Sequence, residues 1–159
     1  MRLSRTLLSA FGAALLLAPA APALAQNVTA DHDQIAEVMK GAGYRAELNG
    51  EGTERYIRSG AGGHSFSLLF YGCDKAGDNC KSVQLYAGFT AEKKPSLEAM
   101  NEYAAKNRWG RIYLDDDGDP CIEMDIDLED GGMSKELFLD NLEYWEVIMG
   151  AFAAFAFSK

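Results

Sequence analysis

WGRIYLDDDGDPCIEMDIDLE, residues 109–129, decides the fold. Ile112 and Leu114 alternate with Trp109, Arg111 and Tyr113. After DDGDP, Ile122, Met124, Ile126 and Leu128 alternate with Glu123, Asp125, Asp127 and Glu129. Alternation of period two on both arms predicts a hairpin with one buried face. With Asp116-Asp117-Gly118 as the loop and Gly118 left-handed, Ile112 faces Ile122 and Arg111 faces Glu123. A pairing shifted by two residues puts Arg111 opposite Asp125 instead. Either register gives Arg111 a carboxylate partner and keeps the apolar sets together, whereas a one-residue slip breaks both.

Upstream, His64 to Tyr71 and Ser82 to Thr90 form a second alternating pair. Bridging Cys73 to Cys80 places Phe70 opposite Val83 and Leu68 opposite Leu85, so a disulfide across the mouth of DKAGDN is expected. It is read as structural, because C-x6-C lacks the thioredoxin-type redox spacing; Cys121 is left as a partly buried thiol. Tyr44–Asn49 and Thr53–Ser59 read as a polar edge hairpin. Gly60–Gly63 is a flexible connection and not a phosphate loop, since no Lys-Ser/Thr and no helix follow. Asp31–Ala42 reads as a helix with Asp31 and Gln34 as a capping box, stopped by Gly43. A second helix runs from Pro95 to about Asn107. Gly131-Gly132 breaks the chain before a last helix capped by Ser134. Val147–Phe157 has no polar side chain and is too short to span a bilayer, so that end is expected to be buried on every side or covered by a partner.

Met1 to Ala25, with Arg2 and Arg5, an apolar run and Ala23-x-Ala25, reads as a secretory signal peptide cleaved after Ala25. Its removal leaves residues 26–159 as a single domain in the periplasm, with no stable membrane span. It also removes two arginines and leaves 13 basic against 24 acidic residues, a balance of −11. Such a charge disfavours nucleic acid as a partner.

Asp115–Asp119 hints at calcium, but Pro120 stands where an EF-hand needs glycine and Ile126 where it needs glutamate. A solvated turn is expected, and no metal site or cofactor is assigned. The two histidines, His32 and His64, sit in no nucleophile motif or metal-ligand spacing, so no catalytic residue is named. Beside the core face, Tyr71, Tyr86, Trp109, Arg111 and Tyr113 share the opposite sheet face by parity. Aromatics and arginine at that density make them the candidate binding residues. A helix covering that face, making them a second core layer, is the alternative. On that arrangement Arg111 lies in a partly desolvated layer, and its loss costs roughly 3–5 kcal/mol.

Asn107-Arg108-Trp109, Arg111-x-Tyr113-x-Asp115, Asp117-Gly118, Gly131-Gly132 and a last helix carrying Leu142, Trp145 and Phe152 resemble the YbjN family of bacterial proteins. The resemblance implies an α+β fold like that of type III secretion chaperones, a twisted antiparallel sheet of about five or six strands with three helices. It also implies a sensory-transduction regulatory role without established chemistry, and often a dimer. The expected function is a non-catalytic periplasmic module binding a protein or peptide, with a homodimer through the C-terminal helix among its partners. A calcium- or metal-binding protein and an enzyme of unknown reaction are the competing classes.

Overall fold

A computed structural model of the chain describes residues 27–158. The expected leader, Met1–Ala25, lies outside the described residues. The alternating stretches become six strands, β1 (Glu47–Asn49), β2 (Tyr56–Ala61), β3 (His64–Tyr71), β4 (Ser82–Gly88), β5 (Arg111–Leu114) and β6 (Pro120–Asp127). They form one open antiparallel sheet in the order β1-β2-β3-β4-β6-β5. With the helices α1 (His32–Gly41), α2 (Leu97–Lys106) and α3 (Lys135–Ala156), the fold is α+β. Among the described residues no helix is long and apolar enough to cross a membrane.

The register expected for β3–β4 is present, and of the two left open for β5–β6 the one that faces Arg111 with Glu123 is the one formed. Leu68 pairs with Leu85 and Phe70 with Val83, while Ile112 pairs with Ile122 and Arg111 with Glu123. The strands therefore turn Ile57, Phe66, Leu68, Phe70, Val83, Leu85, Ile122 and Ile126 to one face, and the helices pack there. Trp145 of α3 meets Phe66 edge-on, ring centres 5.9 Å apart. His32 of α1 stacks on Phe70 at 3.8 Å, and Tyr103 of α2 meets Phe152 of α3 at 5.4 Å. Trp145, Phe138, Phe152, Leu68, Leu85 and Ile122 are fully enclosed. Each apolar side chain buried in this way contributes roughly 1.5–3 kcal/mol.

Asp31 and Ser134 cap their helices as expected, whereas Pro95, expected to open the second helix, lies one residue before its cap, Ser96. Asp31 accepts the Gln34 amide at 2.7 Å, Ser96 the Ala99 amide at 3.2 Å and Ser134 the Leu137 amide at 3.2 Å. Gln34 does not complete a capping box. Its side chain holds the incoming chain instead, accepting from the Thr29 amide at 2.9 Å and donating to the Asn27 carbonyl at 2.8 Å.

Two expectations need correction. Gly60–Gly63 is not a loose connection: Gly60 and Ala61 close β2, and Gly62-Gly63, at φ +57° and +85°, make the two-residue turn into β3. The C-terminal part of α3 is not buried on every side within this chain. Met149, Phe152, Ala153 and Ala156 face the sheet, while Val147 is 69% exposed and Ala151 and Ala154 are open to solvent.

Candidate binding surface

With all three helices on one face, the other face of the sheet carries its own row of side chains. The register aligns Glu47, Arg58, Ser67, Tyr86, Glu123 and Arg111 across it. Glu123 is the centre of this row. Arg111 donates to its Oε2, and the Tyr113 hydroxyl donates to Oε1 at 2.8 Å. Tyr86 lies across the neighbouring position of its own strand, where Gly88 leaves room; a Cβ there would stand 2.8 Å from the Tyr86 hydroxyl. That hydroxyl thus reaches the Cys121 sulfur at 3.5 Å. One row further, Tyr71 donates to Gln84 Oε1 at 3.2 Å, and the Gln84 amide donates to Asp125 at 2.8 Å.

The electrostatics follow from partial burial under two tyrosine rings. The Glu123 side chain is 7% exposed, whereas Arg111 is 64% exposed, with its guanidinium 5.8 Å from the Tyr113 ring centre. Burial, then the hydrogen bond to Glu123, pushes the Tyr113 phenol up. The bond to Cys121, then burial, does the same to Tyr86. Burial raises the Cys121 thiol. All three groups are therefore protonated near neutral pH, which provides hydrogen-bond donors and aromatic faces rather than a thiolate nucleophile. Among the described residues no group of three or more His, Cys, Asp or Glu is placed to hold a metal ion.

The structure thus brings Tyr86, Arg111 and Tyr113 together around Glu123 and places Tyr71 on the same face. Trp109 is elsewhere. Its φ of +76° breaks the alternation before β5 begins, and its ring lies on the helix side, 5.5 Å from Tyr144 of α3. There it lines a groove of about 350 Å³ with Tyr103, Gly110, Ile112, Val147 and Ala151. The expected desolvated layer around Arg111 is also absent, because no helix among the described residues covers this face and Arg111 stands in solvent. Gln84 was missed as a member of the face. Its place opposite Asp125 becomes legible only once β4 is known to lie beside β6.

Cys73 and Cys80 are joined by a disulfide at the mouth of the β3–β4 loop; Cys121 is a buried free thiol. No curated protein and no solved structure matches this chain. The YbjN family model, described as "Putative bacterial sensory transduction regulator", matches residues 31–157, from the cap of α1 to the end of α3, and the chain belongs to the YbjN family.

Proposed function

We propose that this chain is a non-catalytic regulatory module that binds a protein or peptide in the periplasm through the uncovered face of its sheet. The observation that carries the reading is the cluster of Tyr86, Tyr113 and Arg111 on a buried Glu123, on a face left open by all three helices. Rigid aromatic rings and an arginine contribute strongly to binding at low entropic cost, and here their rotamers are already held by hydrogen bonds. Membership of a regulator family supports a protein partner. The leader-like Met1–Ala25 and the Cys73–Cys80 bridge support export.

The test places a photo-crosslinking amino acid at Arg58 or Ser65, both exposed on this face, in cells exporting the protein. An adduct with another protein is expected, reduced at least tenfold by Arg111→Glu with Tyr113→Ser. Crosslinks unaffected by that double change, or formed equally from a site on the helix side, would refute the assignment. Mass spectrometry of the periplasmic protein should find Gln26 at its N-terminus. An intact Met1 in a cytosolic fraction would defeat export.

A further inference from the structure

The groove beside Trp109 lies on the helix side of the sheet, apart from the face assigned above to a protein or peptide. Tyr103 and Ala104 of α2 wall it on one side, and Val147, Ile148 and Ala151 of α3 on the other. Its floor is the entry to β5. Gly110 has no side chain there, and a Cβ would stand 2.8 Å from Ile122 and 3.6 Å from Ile148. Those two side chains therefore close on bare backbone. Trp109 completes the enclosure. A residue of that size at φ +76° is strained, and strain kept at a concavity points to use. Its ring is 56% exposed, so core packing does not account for the cost.

The polar part of the lining is Lys106, Asn107 and Arg108, and no carboxylate among the described residues lines the groove. Arg108 is held over the Trp109 ring, 5.2 Å from its centre. Among the described residues it makes no ion pair. Lys106 pairs with Glu102 at 3.5 Å, but the two side chains are 72% and 74% exposed, and such a contact contributes little. The acidic groups of α3 lie elsewhere. Glu143 and Glu146 line a separate groove with Tyr44, while Asp140 and Glu136 come one and two turns before Tyr144. In a chain of net charge −9, a cationic rim on an apolar recess is a local reversal of sign. A volume of about 350 Å³ suits a small molecule, with an apolar body enclosed and few polar groups to orient it. An unpaired guanidinium offers the planar fork that a carboxylate matches. We propose that this groove binds a small hydrophobic carboxylate, its hydrocarbon body between Tyr103, Val147 and Ala151 and its anionic end at Arg108 and Lys106.

Titration of the purified protein with hexanoate, octanoate and decanoate, each below micelle formation, tests it. Of the two tryptophans, Trp145 is fully enclosed, so a shift in fluorescence reports on Trp109. A blue shift is expected, with affinity rising about fourfold for each methylene added, from ~0.8 kcal/mol per buried CH2. Calorimetry then compares variants. Ala151→Trp, which fills the groove, should abolish decanoate binding. Arg108→Glu should weaken it at least tenfold while leaving decanol binding unchanged, because only the carboxylate meets the guanidinium. Far-UV circular dichroism of both variants should match the parent, since both positions are exposed. Failure of decanoate to bind at millimolar concentration would overturn the proposal, whatever partner the open sheet face takes. Binding that survives Ala151→Trp would place the ligand elsewhere and overturn it too. So would decanol binding the parent as tightly as decanoate, or decanoate binding indifferent to Arg108→Glu.

Discussion

The loops Asp74–Asn79, between β3 and β4, and Asp115–Asp119, between β5 and β6, are folded by the same hydrogen bonds and held by different partners. In each, the amide of the first aspartate donates to the carbonyl of the aspartate four residues on, at 2.8 Å from Asp74 and 3.0 Å from Asp115. The glycine between them donates back, at 3.0 Å from Gly77 and 2.9 Å from Gly118. The first carboxylate then accepts two amides: Asp74 takes Ala76 and Asp78, and Asp115 takes Asp117 and Asp119. The shared pattern is D-x-x-G-D-x-C, as DKAGDNC and DDDGDPC. Beyond it the loops part. The first is closed by Cys73–Cys80 and seated against the β1–β2 connection, with Arg55 3.8 Å from Asp78. The second has Leu114 where the first has Cys73, turns Cys121 under Tyr86, and is approached by Lys94 at 3.1 Å from Asp119. A short motif sets the turn; tertiary contacts set how firmly it is held.

The largest expected difference lies in the two glycines. Both are left-handed, Gly77 at φ +87° and Gly118 at +76°. An added Cβ on Gly77 would stand 2.1 Å from the Gly52 carbonyl oxygen, whereas on Gly118 it meets the Lys94 side chain at 3.4 Å. Gly118→Ala should cost about 1–2 kcal/mol, the strain of an L-residue in that conformation. Gly77→Ala should cost about 3 kcal/mol or more, because the loop must also leave its seat. Urea unfolding measures both, and equal losses would end the distinction between a seated and a free loop. Next comes the disulfide. Replacing Cys73 and Cys80 together by serine should cost about 2–3 kcal/mol in the chain-entropy view. Non-reducing peptide mapping should recover those two residues linked, and a bridge from either to Cys121 would contradict the register itself.

These loops also mark what could be read from the residues. Alternation excluded a one-residue slip in both hairpins, since that would have turned every apolar side chain outward, but it left Arg111 opposite either Glu123 or Asp125, and the β3–β4 register needed the Cys73–Cys80 bridge as well. The acidic run at Asp115 was legible as a turn, because its aspartate and glycine positions have a backbone use as well as a ligand use. Trp109 was misplaced because parity was carried back through Gly110, beyond the strand, to a residue with positive φ. Whether a helix would also cover the face opposite the core was not legible, since alternation separates two faces without saying what packs on the second. The apolar end of α3 failed for a related reason: Val147 and Ala151 look like core in composition, and only the helix's position against the sheet separates them from Met149 and Phe152.

Acid should weaken the seat of the first loop through His32, which is 4% exposed and stacked on Phe70 beneath it. Burial, aided by Arg55, lowers its pKa below 6.5, against the opposing pull of Asp31, Asp78 and Asp33. The unfolded chain then binds a proton that the folded chain refuses. This contribution to stability is fully present above pH 6.5 and is lost as pH falls below that value towards the lowered pKa. Urea midpoints at pH 7.5 and pH 5 should therefore separate, and His32→Phe should narrow the gap. A gap of equal size in the variant would remove His32 from the explanation.

The smallest effect is expected at the free hairpin, where an ion pair spans the strands instead of a covalent bridge. Arg111 is 64% exposed and Glu123 7%, so the pair is neither a surface contact nor a sealed one. Removing the guanidinium leaves Glu123 its bond from Tyr113 at 2.8 Å, and with no helix among the described residues above, water can take the vacated side. Arg111→Ala should therefore cost about 1 kcal/mol, near the upper end for exposed pairs, rather than the several expected of a stranded buried charge. Arg111→Lys should recover part of it, since an ammonium keeps the charge but not the planar fork. Tyr113→Phe in the Arg111→Ala background should cost more than in the parent, because it removes the remaining protein donor from a buried carboxylate. Additive losses across that double-mutant cycle would show that water already satisfies Glu123, and that the open face is wetter than its burial implies.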